Sequence, residues 1–337
     1  MIKTAIIGLG KMGMSHCAIL GAHPEVDLTA ICDPDGLLQS AFKKLTKFHV
    51  YDDYKKMIET ENPNALFVAT PTRFHAEMVL YALEQGIHVF CEKPFCLTVE
   101  EGEKMVVTAK VHGCINQVGY HNRFIGTFNE MKRLFVSGII GKPFHFIGEA
   151  YGPVVLKPKG GTWRADKKLG GGCLMDYASH VLNLINYITD SNLVEARGTF
   201  MPQIYSKEVD DAIYATLKTE SGLQGQLSVC WSDDTHRKMT TSLKIEGDGG
   251  KLEADATTLK IYLKEGNEKE NLKKGWNVKY ITDLTPQVFF NLRGEEYSAQ
   301  IDHFVQCIKH GTMEHRNTFA EALQTDYIVD KLIEDAK

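Results

Sequence analysis

Over its first 120 residues the chain alternates short apolar runs with stretches whose apolar residues recur every three or four positions. The runs Lys3–Gly8, Leu28–Asp33, Ala65–Thr70, His88–Cys91 and Ile115–Gly119 read as strands, short and bounded by turn residues. Between them Met12–Gly21, Leu37–Leu45, Asp53–Glu59, Phe74–Gln85 and Val99–Val111 carry helical spacing. Strand and helix alternating at this interval predict βαβ units, and so a parallel sheet with helices on both faces. Pro63, Pro71 and Pro94 fall at element ends, where proline is tolerated.

After Phe124 the rhythm changes. A helix (Phe128–Ser137), a strand (Phe144–Tyr151), a Gly/Pro/Lys loop and a second helix (Met175–Thr189) come first. Successive strands follow at Val194–Met201, Ala212–Thr219, Leu223–Trp231, Thr241–Glu246, Lys251–Ala254, Leu259–Leu263 and Val278–Ile281, joined by turns such as Asp248-Gly249-Gly250. Helices Ser298–His310 and Phe319–Glu334 close the chain. The expected fold class is α/β. An N-terminal domain over residues 1–122 is built on a parallel sheet. A C-terminal α+β domain over 123–337 has a large, mostly antiparallel open sheet, and its last helix, 319–334, is able to pack back on the first domain.

Composition removes several classes. The chain has 337 residues, enough for two domains, and its 43% apolar and 24% charged content excludes disorder and a membrane bundle. A net charge of −5 offers no general attraction to nucleic acid or anionic lipid, so neither is expected as a partner. The eight cysteines form no CxxC pair and no zinc-finger spacing. They predict free buried thiols in a reducing cytoplasm and no metal centre. The N-terminal apolar run, Thr4–Gly8, is too short for a signal peptide core.

Gly8-Leu9-Gly10-Lys11-Met12-Gly13 is a G-x-G-x-x-G that follows one predicted strand and opens one predicted helix. The first glycine makes the tight turn, the second lets backbone approach a pyrophosphate, and the third packs helix on strand. The helix N-terminus offers N–H groups and partial positive charge to phosphates. Asp33 ends the second strand twenty residues past Gly13, where a carboxylate binds ribose hydroxyls and repels a 2′-phosphate. Together these predict a dinucleotide-binding domain holding NAD in preference to NADP. Their alternative is a glycine-rich turn beside a capping Asp.

Lys93, in Glu92-Lys93-Pro94, stands at the carboxyl end of a strand, where open α/β sheets bind ligands. Its ammonium could steady a developing alkoxide. Read alone, it is equally a surface lysine paired with Glu92. The crowded Lys-Pro bond suits cis as well as trans. Asp176 and His180, after Gly170-Gly171-Gly172, are four apart and share a helix face, with Leu182, Ile185 and Ile188 on the other. A neutral imidazole accepts a hydroxyl proton during hydride removal, and Asp176 could orient it. The spacing also suits an ordinary polar pair.

Taken in order, Gly8–Gly13, Asp33, Thr70-Pro71-Thr72-Arg73-Phe74-His75, Glu92-Lys93-Pro94, Trp163-Arg164 and Gly170-Gly171-Gly172…Asp176…His180 resemble one family. It is the glucose–fructose oxidoreductase / inositol dehydrogenase / rhizopine-catabolism (Gfo/Idh/MocA) family, and the resemblance spans nearly the whole chain. It implies NAD-linked oxidation or reduction of CH–OH groups in sugars, inositols and nucleotide-sugars. It implies Lys93, Asp176 and His180 as the catalytic set. Cofactor contacts are implied for Gly8, Gly10, Lys11, Met12, Gly13, Asp33, Thr70, Pro71, Thr72, His75, Glu92 and Lys93, with Trp163 and Arg164 on a loop near the nicotinamide. Members often carry Asn where this chain has Thr72, a shorter group. Association into a homodimer or homotetramer through the open sheet is implied too.

For substrate, the expected contacts are Lys93, Tyr120, Asn122, Arg123, Trp163, Asp176, Tyr177 and His180, with His121 and Phe124 beside them. The loop bearing Lys157, Lys159, Arg164, Lys167 and Lys168 against Asp166 could meet an anionic sugar, or be a solvated lysine loop. Two other readings keep the fold. One is a glycosidase that uses tightly held NAD in a transient redox cycle. The other is a sugar- or NAD-sensing regulator, which the intact Lys93, Asp176 and His180 argue against.

Overall fold

Six parallel strands build the first sheet: β1 (Ile2–Ile7), β2 (Val26–Cys32), β3 (His49–Tyr51), β4 (Ala65–Val68), β5 (His88–Cys91) and β6 (Asn116–Val118). Helices α1 (Lys11–Ala22), α2 (Gly36–Leu45), α3 (Tyr54–Glu61), α4 (His75–Glu84) and α5 (Val99–Val111) alternate with them. The computed structural model describes residues 1–158, 162–289, 291–292 and 294–337. They fall into two compact units, Met1–His121 with Gln287–Leu323, and Asn122–Pro286 with Gln324–Lys337.

In the first unit β4 is buried at every position, as a strand covered on both faces must be. The strand order β3-β2-β1-β4-β5-β6 reverses direction between β1 and β4. That reversal opens a crevice at the carboxyl ends of those two strands. Asp35, Asp53 and Thr98 cap α2, α3 and α5 through their side chains. The strand β3 was not anticipated, because three residues at a sheet edge leave no periodic trace.

The second unit contains α6 (Gly126–Val136), β7 (Pro143–Tyr151), a π-helical turn (Leu174–Ala178) continuing into α7 (Ser179–Thr189), and β8 to β14. These strands are β8 (Leu193–Phe200), β9 (Ala212–Thr219), β10 (Gln224–Cys230), β11 (Thr240–Gly247), β12 (Gly250–Asp255), β13 (Thr258–Leu263) and β14 (Gly275–Tyr280). The eight-stranded sheet runs β14-β13-β12-β11-β7-β10-β9-β8, antiparallel except where β7 lies parallel to β10. The α/β class with a mostly antiparallel second sheet is therefore as expected. Gly148 on β7 lets α7 sit close: a Cβ there would lie 2.6 Å from Val181 Cγ1. Phe146, Val181, Leu182, Ile185, Ile188, Leu227, Trp231 and Leu243 share the core beneath that contact.

The opposite face of this sheet is polar in its middle strands. Lys244 meets Glu149 at 3.3 Å, and Lys251 meets Glu246 and Glu253 at 2.9 and 3.1 Å. At the β13–β14 edge it turns aromatic, with Tyr262, Trp276 and Tyr280 exposed.

A short helix, α8 (Ile281–Leu284), precedes α9 (Glu295–His310) and α10 (Phe319–Asp335). Residues 123–337 were expected to form one body, yet α9 belongs to the first unit. Its Phe304 packs edge-on against Phe67 at 5.6 Å and close to Phe90 at 5.9 Å. The first turn of α10 also lies there, Phe319 against Phe95 at 4.6 Å, whereas Ile328, Val329 and Leu332 enter the core of the second unit. All eight cysteines are buried, and none forms a disulfide. Among the described residues no helix is long and apolar enough to cross a membrane.

Candidate active site

The glycine turn follows β1. Gly8 has φ +91°, and a Cβ there would come within 2.6 Å of the Ala69 carbonyl oxygen, just past β4. Gly13 is tighter still: its Cβ would fall 1.8 Å from the Gly8 carbonyl oxygen. Gly10 is exposed, and a Cβ on it would meet nothing within 4 Å. Two glycines are thus demanded by the protein's own packing, and the middle one is not.

No side chain caps α1, so its first N–H groups stay available to an anion. Lys11 is exposed and Met12 half-buried beside them. Asp33, directly after β2, accepts from the Leu9 N–H at 2.6 Å and, through its other oxygen, from the Asp35 N–H at 2.9 Å. A carboxylate has about four acceptor positions, so capacity remains for two ribose hydroxyls. The donor set and the open backbone fit the adenosine-diphosphate half of NAD.

Past β4, Thr70 and Pro71 are half-buried, while Thr72 and His75 are buried. The His75 ring lies 2.9 Å from the Thr70 carbonyl and 3.3 Å from the Phe95 carbonyl. Burial pushes its pKa below the ordinary imidazole value. With no exposed surface, His75 braces the two loops that carry those carbonyls.

Glu92 also faces inward. Its carboxylate lies 2.6 Å from His16 Nε2 and accepts from the Lys93 N–H at 3.1 Å. Burial opposes its charge, but the His16 hydrogen bond and charge, then Lys93, hold its carboxyl below the usual range. Lys93 itself is half-buried, and its bond to Pro94 is cis. The buried His16 carried no sequence signal. Its partner is 76 residues away.

In the second unit the glycine run makes room for two neighbours. A Cβ on Gly171 would fall 2.3 Å from the Arg164 carbonyl oxygen. Gly172 has φ +114°, and its Cβ would touch Asp210 Oδ1 at 2.6 Å. Arg164 donates from Nε to Asp176 Oδ2 at 2.8 Å, with its guanidinium 4.6 Å from the Trp163 ring centre. Asp176 lies in the π-helical turn and His180 in the first turn of α7, and both are buried. The spacing suggested His180 as the partner of Asp176. Arg164, from the preceding loop, is a partner it did not suggest.

Asp210 was also missed. It accepts from the Leu174 N–H at 2.6 Å, fixing the start of the turn that carries Asp176. Burial pushes its carboxyl up to about 6. Adjacent carboxylates beside apolar Val209 were the available signal.

The expected substrate contacts divide. Arg123 is buried, donating to Asn183 Oδ1 at 2.7 Å with its guanidinium over the Tyr187 ring. Tyr120 is buried, its carbonyl accepting from Asn317. Tyr177 is buried against Trp231, and its hydroxyl occupies the space where a Gly152 Cβ would stand. Asn122 is buried, and among the described residues its amide nitrogen has no hydrogen-bond partner. In the basic loop, Lys159 lies outside the described residues and Arg164 is engaged by Asp176. Lys167 and Lys168 line an open depression of about 570 Å³ together with Asp166 and Glu208. Two acids balance the two lysines there.

Residues 2–120 match the model of an oxidoreductase family with an NAD-binding Rossmann fold, and residues 128–253 match the GFO/IDH/MocA C-terminal domain. The D-glucoside 3-dehydrogenase of Escherichia coli K12 is 27% identical over 240 residues, covering 66% of this chain and 68% of that protein. The scyllo-inositol 2-dehydrogenase (NAD(+)) of Bacillus subtilis is 26% identical over 323 residues, covering 92% of this chain and 87% of that one. A levoglucosan dehydrogenase solved with NADH superposes with a TM-score of 0.87 at 21% identity, over 99% of this chain and 96% of the other, a likeness of fold. With both halves matched in order, the chain belongs to the Gfo/Idh/MocA family of oxidoreductases.

Proposed function

We propose that this protein is an NAD-dependent dehydrogenase acting on a secondary alcohol of a sugar, an inositol or a nucleotide-sugar. The observation that carries the reading is the bare Gly10 between two glycines that packing requires, in a loop tied to Asp33. The related dehydrogenases named for glucoside and scyllo-inositol support the substrate class. Residues 1–122 serve as the nucleotide-binding part and 123–337 as the part for substrate and association, with residues of α9 supporting the first.

Bound NAD supplies the hydride acceptor. The turn Gly8–Gly13 and the start of α1 take its diphosphate, and Asp33 its adenosine ribose, which disfavours NADP. Thr70, Pro71, Lys93, Trp163 and Arg164 contribute the remaining contacts. Thr72, His75 and Glu92 act from behind by holding the loops. His180 removes the hydroxyl proton of the substrate as its carbon is oxidised, and in the reverse direction returns it. Lys93 offers its ammonium to stabilise developing negative charge on a substrate oxygen. Asp176, held by Arg164, binds a neighbouring hydroxyl, and Asn122 offers an unmet amide donor.

The enzyme works in a reducing cytoplasm, which suits eight cysteines that form no disulfide. It associates through the aromatic β13–β14 edge of the second sheet. The test of the chemistry is His180→Ala. A positioned acid/base contributes roughly 10²–10⁴-fold. Turnover falls by that order while NADH binding, read by fluorescence, persists; unchanged turnover would remove the role of His180.

A further inference from the structure

Within the first unit, α9 and the segment leading to α10 bring together three side chains that the chemistry above does not use. His303 and Cys307 are four residues apart on α9 and so share a face. His315 packs against them, its ring centre 5.3 Å from that of His303. The Cys307 sulfur lies 3.8 Å from His303 Nδ1 and 4.0 Å from its Nε2. One nitrogen of each imidazole and the sulfur are all within 4.8 Å of one another.

Both rings have an oxygen acceptor beside Nδ1. His303 Nδ1 is 3.1 Å from Gln117 Oε1, and that amide is anchored in turn by its Nε2 donating to the Gln300 carbonyl at 2.9 Å. His315 Nδ1 is 3.0 Å from the Arg316 carbonyl. For His315 the oxygen acceptor at Nδ1 draws the ring proton there and leaves Nε2 with its lone pair. Metal-binding histidines are held in this way by their outer partners. The His315 Nε2 is buried and has no hydrogen-bond partner among the described residues. A buried acceptor left unmet asks for an explanation.

We propose that His303, Cys307 and His315 bind one Zn²⁺ ion, with water as the fourth ligand. Two imidazole nitrogens and a thiolate are a donor set that suits zinc and not magnesium or calcium. Zinc bonds of roughly 2.0–2.3 Å require donor atoms about 3.5 Å apart, so small side-chain rotations close the cluster. On binding, the Cys307 thiol releases its proton to solvent and the two imidazoles share lone pairs; no oxidation occurs. Arg316 is a nearby positive charge that opposes the ion, and Asp302 and Glu321 are negative charges that favour it. The ion would pin α9 to the segment that starts α10. The spacing His-x₃-Cys-x₇-His matches no familiar finger, which is why the sequence pointed to no metal.

The test uses the full chain stripped of metal by a chelator. Titrated against a chromophoric competitor, it takes up one equivalent of Zn²⁺ and its melting temperature rises. With Co²⁺ it shows a tetrahedral spectrum and a thiolate charge-transfer band. Cys307→Ser and His315→Ala lose that equivalent and the band, while NADH binding stays at the wild-type level. X-ray absorption of the wild-type zinc form, which needs no variant, shows one sulfur and two imidazoles. Absence of stoichiometric binding, its persistence in both variants, or a shell of oxygens alone would overturn the proposal.

Discussion

Arg164 and Asp176 are joined by a 2.8 Å hydrogen bond from the guanidinium Nε to the carboxylate, tying the Trp163–Ala165 turn to the helical turn that bears Asp176. The arginine side chain is 40% exposed and the aspartate 5%, so solvent screens the pair in part. Arg164→Met should lower kcat/KM by about tenfold, between the values for an exposed and a buried pair. Because the two act together, the double variant with Asp176→Asn should lose less than the product of the single losses. Steady-state kinetics of the four proteins checks this, and independent, multiplying losses would contradict it.

The glycine turn separates fold from binding. Gly13→Ala forces a Cβ to 1.8 Å from a carbonyl oxygen and should unfold the turn or shift the helix, lowering the melting temperature. Gly10→Ala finds open space and should change stability by less than about 1 kcal/mol. Yet it should weaken NADH binding severely, since the added methyl stands where the diphosphate approaches. Thermal melts beside NADH titrations decide it; full NADH affinity in Gly10→Ala would remove the assigned site.

His16 and Glu92 are a buried pair, and breaking one costs about 3–5 kcal/mol by leaving the other charge unmet. His16→Ala should lose stability of that order near pH 7. In the folded chain the Glu92 carboxyl is held below the ordinary glutamate value of about 4.3. Its contribution is therefore complete above that pH and lost as the pH falls through the lower folded value. Urea unfolding of wild type and His16→Ala should show a gap that narrows toward about pH 4 and below. A gap independent of pH would contradict the pairing.

Asp33 both holds the loop and, on our reading, excludes the 2′-phosphate. Asp33→Asn keeps a hydrogen-bonding group for the Leu9 N–H but removes the charge. The preference for NAD over NADP, measured as a ratio of kcat/KM, should fall by about tenfold, the effect of roughly 1.4 kcal/mol. An unchanged ratio would assign the selectivity elsewhere.

Association through the sheet edge predicts that Trp276→Glu shifts sedimentation toward the monomer, because a charge would replace an exposed aromatic at the contact. A distribution identical to wild type would rule out that face.

Much of this was legible in advance, for local reasons. α5 runs over Val99–Val111 and β9 over Ala212–Thr219, as their patterns indicate, since each is bounded by its own cap or turn. The glycine turn and Asp33 are recognisable because loop and strand end lie in one βαβ unit. What could not be read is long-range. Phe304 meeting Phe67 and Phe90 returns α9 to the first unit, and periodicity carries no record of such a contact. His16 opposite Glu92, and Asp210 at the head of the π-helical turn, are partners brought together only by folding. The turn itself was taken for plain α-helix, because a shift in hydrogen-bond register leaves the apolar spacing almost unchanged. The partners of Arg123 and Tyr177, Asn183 and Trp231, are likewise distant in sequence and met only in the fold.

The most direct measurement is a screen for NADH absorbance with purified protein, NAD⁺ or NADP⁺, and a panel of free sugars, inositols and nucleotide-sugars. The account predicts NADH formation with NAD⁺ from at least one polyol, abolished in His180→Ala and Lys93→Ala. No net reduction of either nucleotide by any member of the panel, or equal rates in both variants, would contradict it.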